Sequence, residues 1–191
     1  GRSPSSDAVC ENPFKTHDKV SILTYSWFME ARTLHAPLDA LSAANRPQGI
    51  EIATLTTFDI PALAVLTLEA YDDAVTPEAL LETSEELRLT FEGAFGATTE
   101  DSFVGAWDGG TLIGAILVVR ESPWDDAPDG PFVVDLIVAP DYRRRGIATA
   151  LVSEVATRCT NWGFDTLALR LDARHGGARE LYSMLGFEEI A

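Results

Sequence analysis

The sequence predicts an α/β protein: a three-layer α/β/α sandwich with helices on both faces of a mixed, mostly antiparallel sheet, preceded by an N-terminal extension. Three observations carry that prediction. Strand-like and helix-like segments follow one another in the order βααβββαβα, which suits a layered sheet with helices on either side. Asp108-Gly109-Gly110 separates two apolar runs and signals a hairpin. The apolar run Phe132 to Val138 passes through a short polar turn into helical spacing at Ile147. A chain of 191 residues, 46% hydrophobic and 23% charged, can bury one core with an appendage to spare.

The elements can be justified in order. Residues 1 to about 18 are rich in Ser, Pro and charge, a composition that resists packing. Val20 to Phe28 is β-branched and aromatic and reads as a strand. Glu30 to Ala44 reads as a short helix broken at Pro37. Arg46-Pro47-Gln48-Gly49 punctuates the chain, so the expected organisation is an extension over 1–48 and a main domain over 49–191. Ile50 to Leu55 reads as that domain's first strand. Asp59 to Ala70 reads as a helix, with Thr57 or Asp59 as cap and Pro61 in the first turn. Thr76-Pro77 opens the next helix, running to Phe91. Ser102–Trp107 and Leu112–Arg120 form the hairpin, and Phe132–Val138 the following strand. From Ile147, the residues Leu151, Val152, Val155 and Cys159 keep helical spacing. Thr166–Leu171 is a strand. Ala178, Leu181, Tyr182 and Leu185 lie on one face of the last helix, which Gly186 closes.

The chemistry concentrates in two segments. Val133 to Ala148 joins a strand, three consecutive arginines and the glycine that opens a helix. The leading amides of a helix lack intrahelical partners and carry partial positive charge, so a pyrophosphate is held there by backbone N–H groups. Gly146 permits close approach, and Arg143, Arg144 and Arg145 add fork-shaped donors. Leu167 to Phe187 supplies the second segment, a strand, a Gly-Gly break and the helix that carries Tyr182. Helical periodicity alone reads Tyr182 as a core tyrosine with its hydroxyl at the edge.

Together the two segments resemble the GNAT acyl-CoA N-acyltransferase superfamily. Arg143, Gly146 and Ala148 match its Q/R-x-x-G-x-G/A motif. Ala178, Leu181, Tyr182, Gly186 and Phe187 match its A-x-x-L-Y-x-x-x-G-F motif. The resemblance covers about residues 50 to 191. It implies acetyl-CoA as co-substrate, held by Val138, Ala139, Arg143, Arg144, Arg145, Gly146, Ile147, Ala148, Thr149 and His175. It implies a slot between the strands 132–138 and 166–171, a backbone N–H near Leu136 to Val138 that polarises the thioester carbonyl, and Tyr182 as the acid that protonates the departing sulfur. The amine must lose a proton, and for a lysine-like amine of pKa about 10.4 that costs roughly 4.6 kcal/mol at pH 7. Asp135 is the nearest carboxylate by sequence and the catalytic candidate, with a strand-end charge or salt bridge as the other reading. Some relatives place a glutamate where this chain has Arg170, so the base is left open. Members of the family usually continue past G-F with two strands, whereas Glu188-Glu189-Ile190-Ala191 leaves room for one. Val20–Phe28, from the same chain or a neighbour, is the expected filler.

Charge and composition bound the partners. The net charge is −16, which disfavours nucleic acid. Residues 59 to 101 hold eleven acids against Arg88 alone, and Glu121, Asp125, Asp126 and Asp129 surround Trp124. An acidic rim with an aromatic favours a cationic amine acceptor, although a generally acidic surface would read the same way. Cys10 and Cys159 read as free thiols of a cytoplasmic protein. His17, His35 and His175 show no ligand spacing, so no metal is expected. No apolar run is long enough to span a membrane, and a homodimer is compatible with the sequence. The expected activity is acetyl transfer to an amine. A non-catalytic acyl-CoA sensor on the same fold is the other reading.

Overall fold

The computed structural model describes residues 32–41, 44–122, 125, 127–171 and 178–190. One seven-stranded sheet organises them. Its strands are β1 (Arg32–Pro37), β2 (Ile50–Thr54), β3 (Phe103–Asp108), β4 (Thr111–Val119), β5 (Phe132–Val138), β6 (Thr166–Leu171) and β7 (Glu188–Glu189), in the spatial order β2-β3-β4-β5-β6-β1-β7. Every pairing is antiparallel except β5 with β6. The helices are α1 (Leu38–Leu41), α2 (Ile60–Ala70), α3 (Pro77–Phe91), α4 (Ile147–Asn161) and α5 (Ala178–Leu185).

The sheet separates two cores. On one face α1, α4 and α5 bring Leu38, Ile147, Leu151, Val155 and Tyr182 onto Val104, Ile116 and Leu167. On the other, α2 and α3 bring Leu63, Leu66 and Leu87 onto Phe103, Leu117 and Ile137. The predicted sandwich is therefore present. Local signals explain the helix starts: Thr76 Oγ1 accepts from Ala79 N at 3.1 Å as an N-cap, and Asp59 Oδ2 accepts from Thr56 N at 2.8 Å, the return bond of a capping box on the short turn before α2.

The segment Glu30–Ala44 departs from expectation. Arg32–Pro37 is a strand, and helix is confined to Leu38–Leu41. Leu34 and Ala36 point into the core while Arg32, His35 and Pro37 are exposed or partly so, the period-two pattern of a half-buried strand. Pairing with β6, Arg32 opposite Leu171 through Pro37 opposite Thr166, decides the outcome over local helix preference. β1 also pairs with β7, and Ile190 N donates to Thr33 O at 2.9 Å. β1 thus lies between β6 and β7. Val20–Phe28 itself lies outside the described residues, as does Cys10.

Candidate active site

The end of β5 is shaped by two sheet irregularities. Against β4, Leu117 opposes Asp135 and Val118 opposes Val133, leaving Val134 as an extra residue. A bulge bends its strand. On the other side, parallel pairing with β6 is limited to Phe132 with Ala168 and Val133 with Leu169. From Val134 onward β5 parts from β6, and a V-shaped opening forms between them. Ala139 N donates to Ile113 O at 2.8 Å, which fixes the alternation: Asp135, Ile137 and Ala139 direct their peptide groups at β4. Leu136 and Val138 direct theirs at the opening. This corrects the expectation for Ala139, whose N–H is already used inside the sheet. The open-edge donors are those of Leu136 and Val138.

The turn after β5 forms a cradle. Arg143 has φ −68° and Gly146 φ 80°; Arg144 is left-handed at φ 60°, and Arg145 is not. Arg143 is extended at ψ 152°, and the left-handed Arg144 and Gly146 turn the chain into the start of the helix. Gly146 is the N-cap of α4 and no side chain caps it, so the N–H groups of Ile147, Ala148 and Thr149 keep no intrahelical acceptor. A Cβ at Gly146 would meet only Pro47, at 3.9 Å; the positive φ, not crowding, demands glycine. Unsatisfied helix-start donors behind a glycine and flanking arginines fit a pyrophosphate.

The three arginines differ. Arg143 turns away from the helix: its Nη2 donates to Ala70 O at 2.7 Å and its Nε to Val138 O at 3.3 Å. Arg145 lies over the Tyr142 ring at 5.1 Å, and Tyr142 in turn donates to Asp108 Oδ2 at 2.7 Å. Arg144 has no ion-pair or hydrogen-bond partner among the described residues.

Asp135 and Tyr182 lie on opposite faces of the sheet. Asp135 is 8% exposed and accepts from Tyr71 Oη at 2.6 Å on the α2–α3 face. It sits in mid-strand rather than at a strand end. Tyr182 is buried on the other face, its ring edge-on to Phe187 at 5.5 Å. Burial, and then the Asp135 charge, raise the Tyr182 hydroxyl well above the ordinary tyrosine value of 10.0; both penalise the anion.

Tyr71 was not foreseen. It follows α2, and its neighbour Asp72 is left-handed at φ 58°, with Asp73 N donating to Leu68 O at 2.8 Å. This is a helix-ending turn without glycine. A lone aromatic before Asp-Asp gave no usable signal. His175 lies outside the described residues, with the Gly-Gly break, and so do Trp124 and Asp126. Several of the eleven acids have structural duties: Asp59 caps a turn, Glu85 and Glu92 hold Arg88, and Asp101 accepts from Trp162. Glu69, Asp72 and Asp73 flank Tyr71 instead.

The sequence profile described as the Acetyltransferase (GNAT) family matches residues 66–187. The chain belongs to that family, and so to the acyl-CoA N-acyltransferases. Its fold is similar to a GCN5-related N-acetyltransferase from Sphaerobacter thermophilus at TM-score 0.60 and 23% identity, covering 84% of this chain and 48% of that one. The chain thus spans about half of that protein. It is similar to the ribosomal-protein-S18-alanine N-acetyltransferase from Escherichia coli at TM-score 0.55 and 21% identity, covering 74% and 79%. It is also similar to an aminoglycoside N-acetyltransferase in complex with CoA, at TM-score 0.57 and 21% identity, covering 78% and 93%. No curated protein sequence matches it. Among the described residues no group of three His, Cys, Asp or Glu could hold a metal, and no helix is long and apolar enough to cross a membrane.

Proposed function

We propose that this protein transfers an acetyl group from acetyl-CoA directly to a primary amine on a cationic acceptor, a small molecule or a peptide or protein amine. The observation that carries the reading is the parting of β5 from β6 past Val133, which opens a strand edge between a buried carboxylate on one face of the sheet and a buried phenol on the other. Acetyl-CoA supplies an activated thioester carbonyl. The turn of Arg143 to Gly146 and the first amides of α4, from Ile147 to Thr149, suit its pyrophosphate. The Leu136 and Val138 peptide groups suit its pantetheine arm and the charge that develops on the carbonyl oxygen.

Asp135 pairs with the incoming ammonium and accepts one of its protons. The Tyr71 hydroxyl donates to that carboxylate at 2.6 Å and holds it in place. The nitrogen lone pair forms the C–N bond as the C–S bond breaks. Tyr182 gives its proton to the leaving sulfur, and the second amine proton restores it. A phenol held protonated by burial is suited to that role. Glu69, Asp72 and Asp73 beside Tyr71 support a cationic acceptor. The two acceptors named for the structural neighbours, an alanine of a ribosomal protein and an aminoglycoside, leave its size open.

The test is thiol release from acetyl-CoA with a polyamine, an aminoglycoside and a basic peptide, comparing wild type with Tyr182→Phe. Amine-dependent release reduced about a hundredfold or more in the variant is expected. Release unchanged by the substitution removes Tyr182 as the acid. CoA binding without release from any amine favours the sensor reading.

A further inference from the structure

The arginine triplet reads as three phosphate ligands, yet its first member is engaged elsewhere. The Arg143 guanidinium bridges the carbonyl of Val138, the last residue of β5, and that of Ala70, the last residue of α2. The final carbonyls of a helix lack intrahelical donors and carry the negative end of its dipole. A guanidinium, with a fixed fork of donors and a permanent charge, meets both needs at once. Ala70 precedes Tyr71, whose hydroxyl lies 2.6 Å from Asp135 Oδ1. Two links therefore tie the end of α2 to β5: Arg143 to Val138 at the mouth of the opening, and Tyr71 to Asp135 inside it. The left-handed Asp72 and the Asp73-to-Leu68 hydrogen bond fix the turn that follows.

We infer that Arg143 is a positioning residue for the acceptor side rather than a ligand of the cofactor phosphates, and that Tyr71, held by it, sets the acceptor subsite at Asp135. The phosphate charge then falls to Arg144, which is left-handed at φ 60° and has no competing partner among the described residues. The inference rests on the acetyl-transfer reading for its kinetic consequences, but its structural content stands apart from turnover.

The experiment compares Arg143→Gln, Arg143→Lys and Arg144→Gln in the full chain. Calorimetric titration with CoA reads the cofactor side. Amide hydrogen exchange of residues 68–76 reads the acceptor side without any turnover. Arg143→Gln should leave the CoA dissociation constant within about twofold and speed exchange over 68–76. It should lower kcat/KM for the amine about ten- to a hundredfold, the size of one or two charged hydrogen bonds, with KM for acetyl-CoA unmoved. Arg143→Lys keeps one donor and should recover part of the loss. Arg143→Gln combined with Tyr71→Phe should be no slower than the worse single variant, because the arginine acts through the tyrosine. Arg144→Gln should show the reverse: weaker CoA and unchanged exchange over 68–76. Arg143→Gln weakening CoA as much as Arg144→Gln, with exchange over 68–76 unaltered, overturns the inference. Should no amine be acetylated, the acetyl-transfer reading fails, while the CoA and exchange measurements still decide the role of Arg143.

Discussion

Gly114→Ala should damage the cofactor cradle from beneath. Gly114 lies in β4 opposite Val138, and a Cβ there would come within 2.8 Å of Ile147 Cγ2, 3.2 Å of Leu151 Cδ1 and 3.4 Å of Ile137 O. Ile147 is 2% exposed and Leu151 fully buried, so neither side chain can swing into solvent. The Ile147 atom is a branch on a stiff Cβ. Relief must come from lifting the start of α4 off the sheet. Overpacking of this kind costs about 1–3 kcal/mol, or a fall in Tm of about 2–12 °C for a chain of this size. Because Ile147 is the first residue of α4, the same displacement misaligns the amides of the cradle. CoA affinity should fall about tenfold, equivalent to ~1.4 kcal/mol. Gly105→Ala is the control. Its Cβ would be as crowded, 2.6 Å from Leu55 Cδ2 and 2.8 Å from Leu112 Cδ1, but those leucines belong to the α2–α3 face. It should lower Tm and leave CoA binding intact. Thermal melts and calorimetric titration check both. A Gly114→Ala protein with wild-type Tm, or a Gly105→Ala protein that loses CoA affinity equally, refutes the reasoning.

Three further outcomes follow from buried groups. Burial pushes the Cys159 thiol from 9.0 up to about 12. The native thiol keeps its proton where the unfolded one loses it, so this contribution is full below pH 9.0 and lost as pH rises toward 12, at up to about 1.4 kcal/mol per pH unit; denaturant melts of Cys159→Ala should be flatter over that window up to pH 10.0, where Tyr182 adds the same sign. The raised Tyr182 hydroxyl stays protonated past the ordinary value of 10.0, so a kcat/KM profile should show no alkaline loss attributable to it below that pH. In β1, Leu34→Ala should cost about 2–4 kcal/mol, whereas Arg32→Met, which breaks an exposed ion pair with Glu189, should cost under about 1 kcal/mol; urea melts distinguish a strand held by its apolar face from one held by its charge.

The fold was legible where a local rule acts alone. Thr76-Pro77 opened a helix because a hydroxyl cap and a proline at its first position need no partner. Phe132–Val138 and Thr166–Leu171 read as strands because their apolar runs are continuous and bounded by turns. Arg32–Pro37 failed because nothing within those residues prefers a strand. Leu34 and Ala36 are the only inward residues, and the pairing edge that recruits them lies on β6, well over a hundred positions away. β1 buries an alternating pair, Leu34 and Ala36, and Pro37 closes the strand.

The site divides along the same line. Gly146 and the amides after it were readable because a helix start is a local object, and its left-handed φ of 80° follows from glycine alone. Asp135 was readable as a position and not as an environment: its inward turn depends on the bulge at Val134, which no residue type in the strand announces. Tyr71 and Arg143 were unreadable as partners, since the bond from Arg143 to Ala70 spans 73 residues and that from Tyr71 to Asp135 spans 64. An arginine beside a glycine-opened helix invites the phosphate reading because charge is visible in sequence and direction is not. The turn from Pro140 to Tyr142 sets that direction, with Tyr142 tied to Asp108 and Arg143 leaving the turn in extended backbone at ψ 152°. Replacing Tyr142 by Phe removes the tie to Asp108 and not the stacked ring under Arg145. If the turn aims Arg143, that change should loosen exchange over residues 68–76 as Arg143→Gln does, only less.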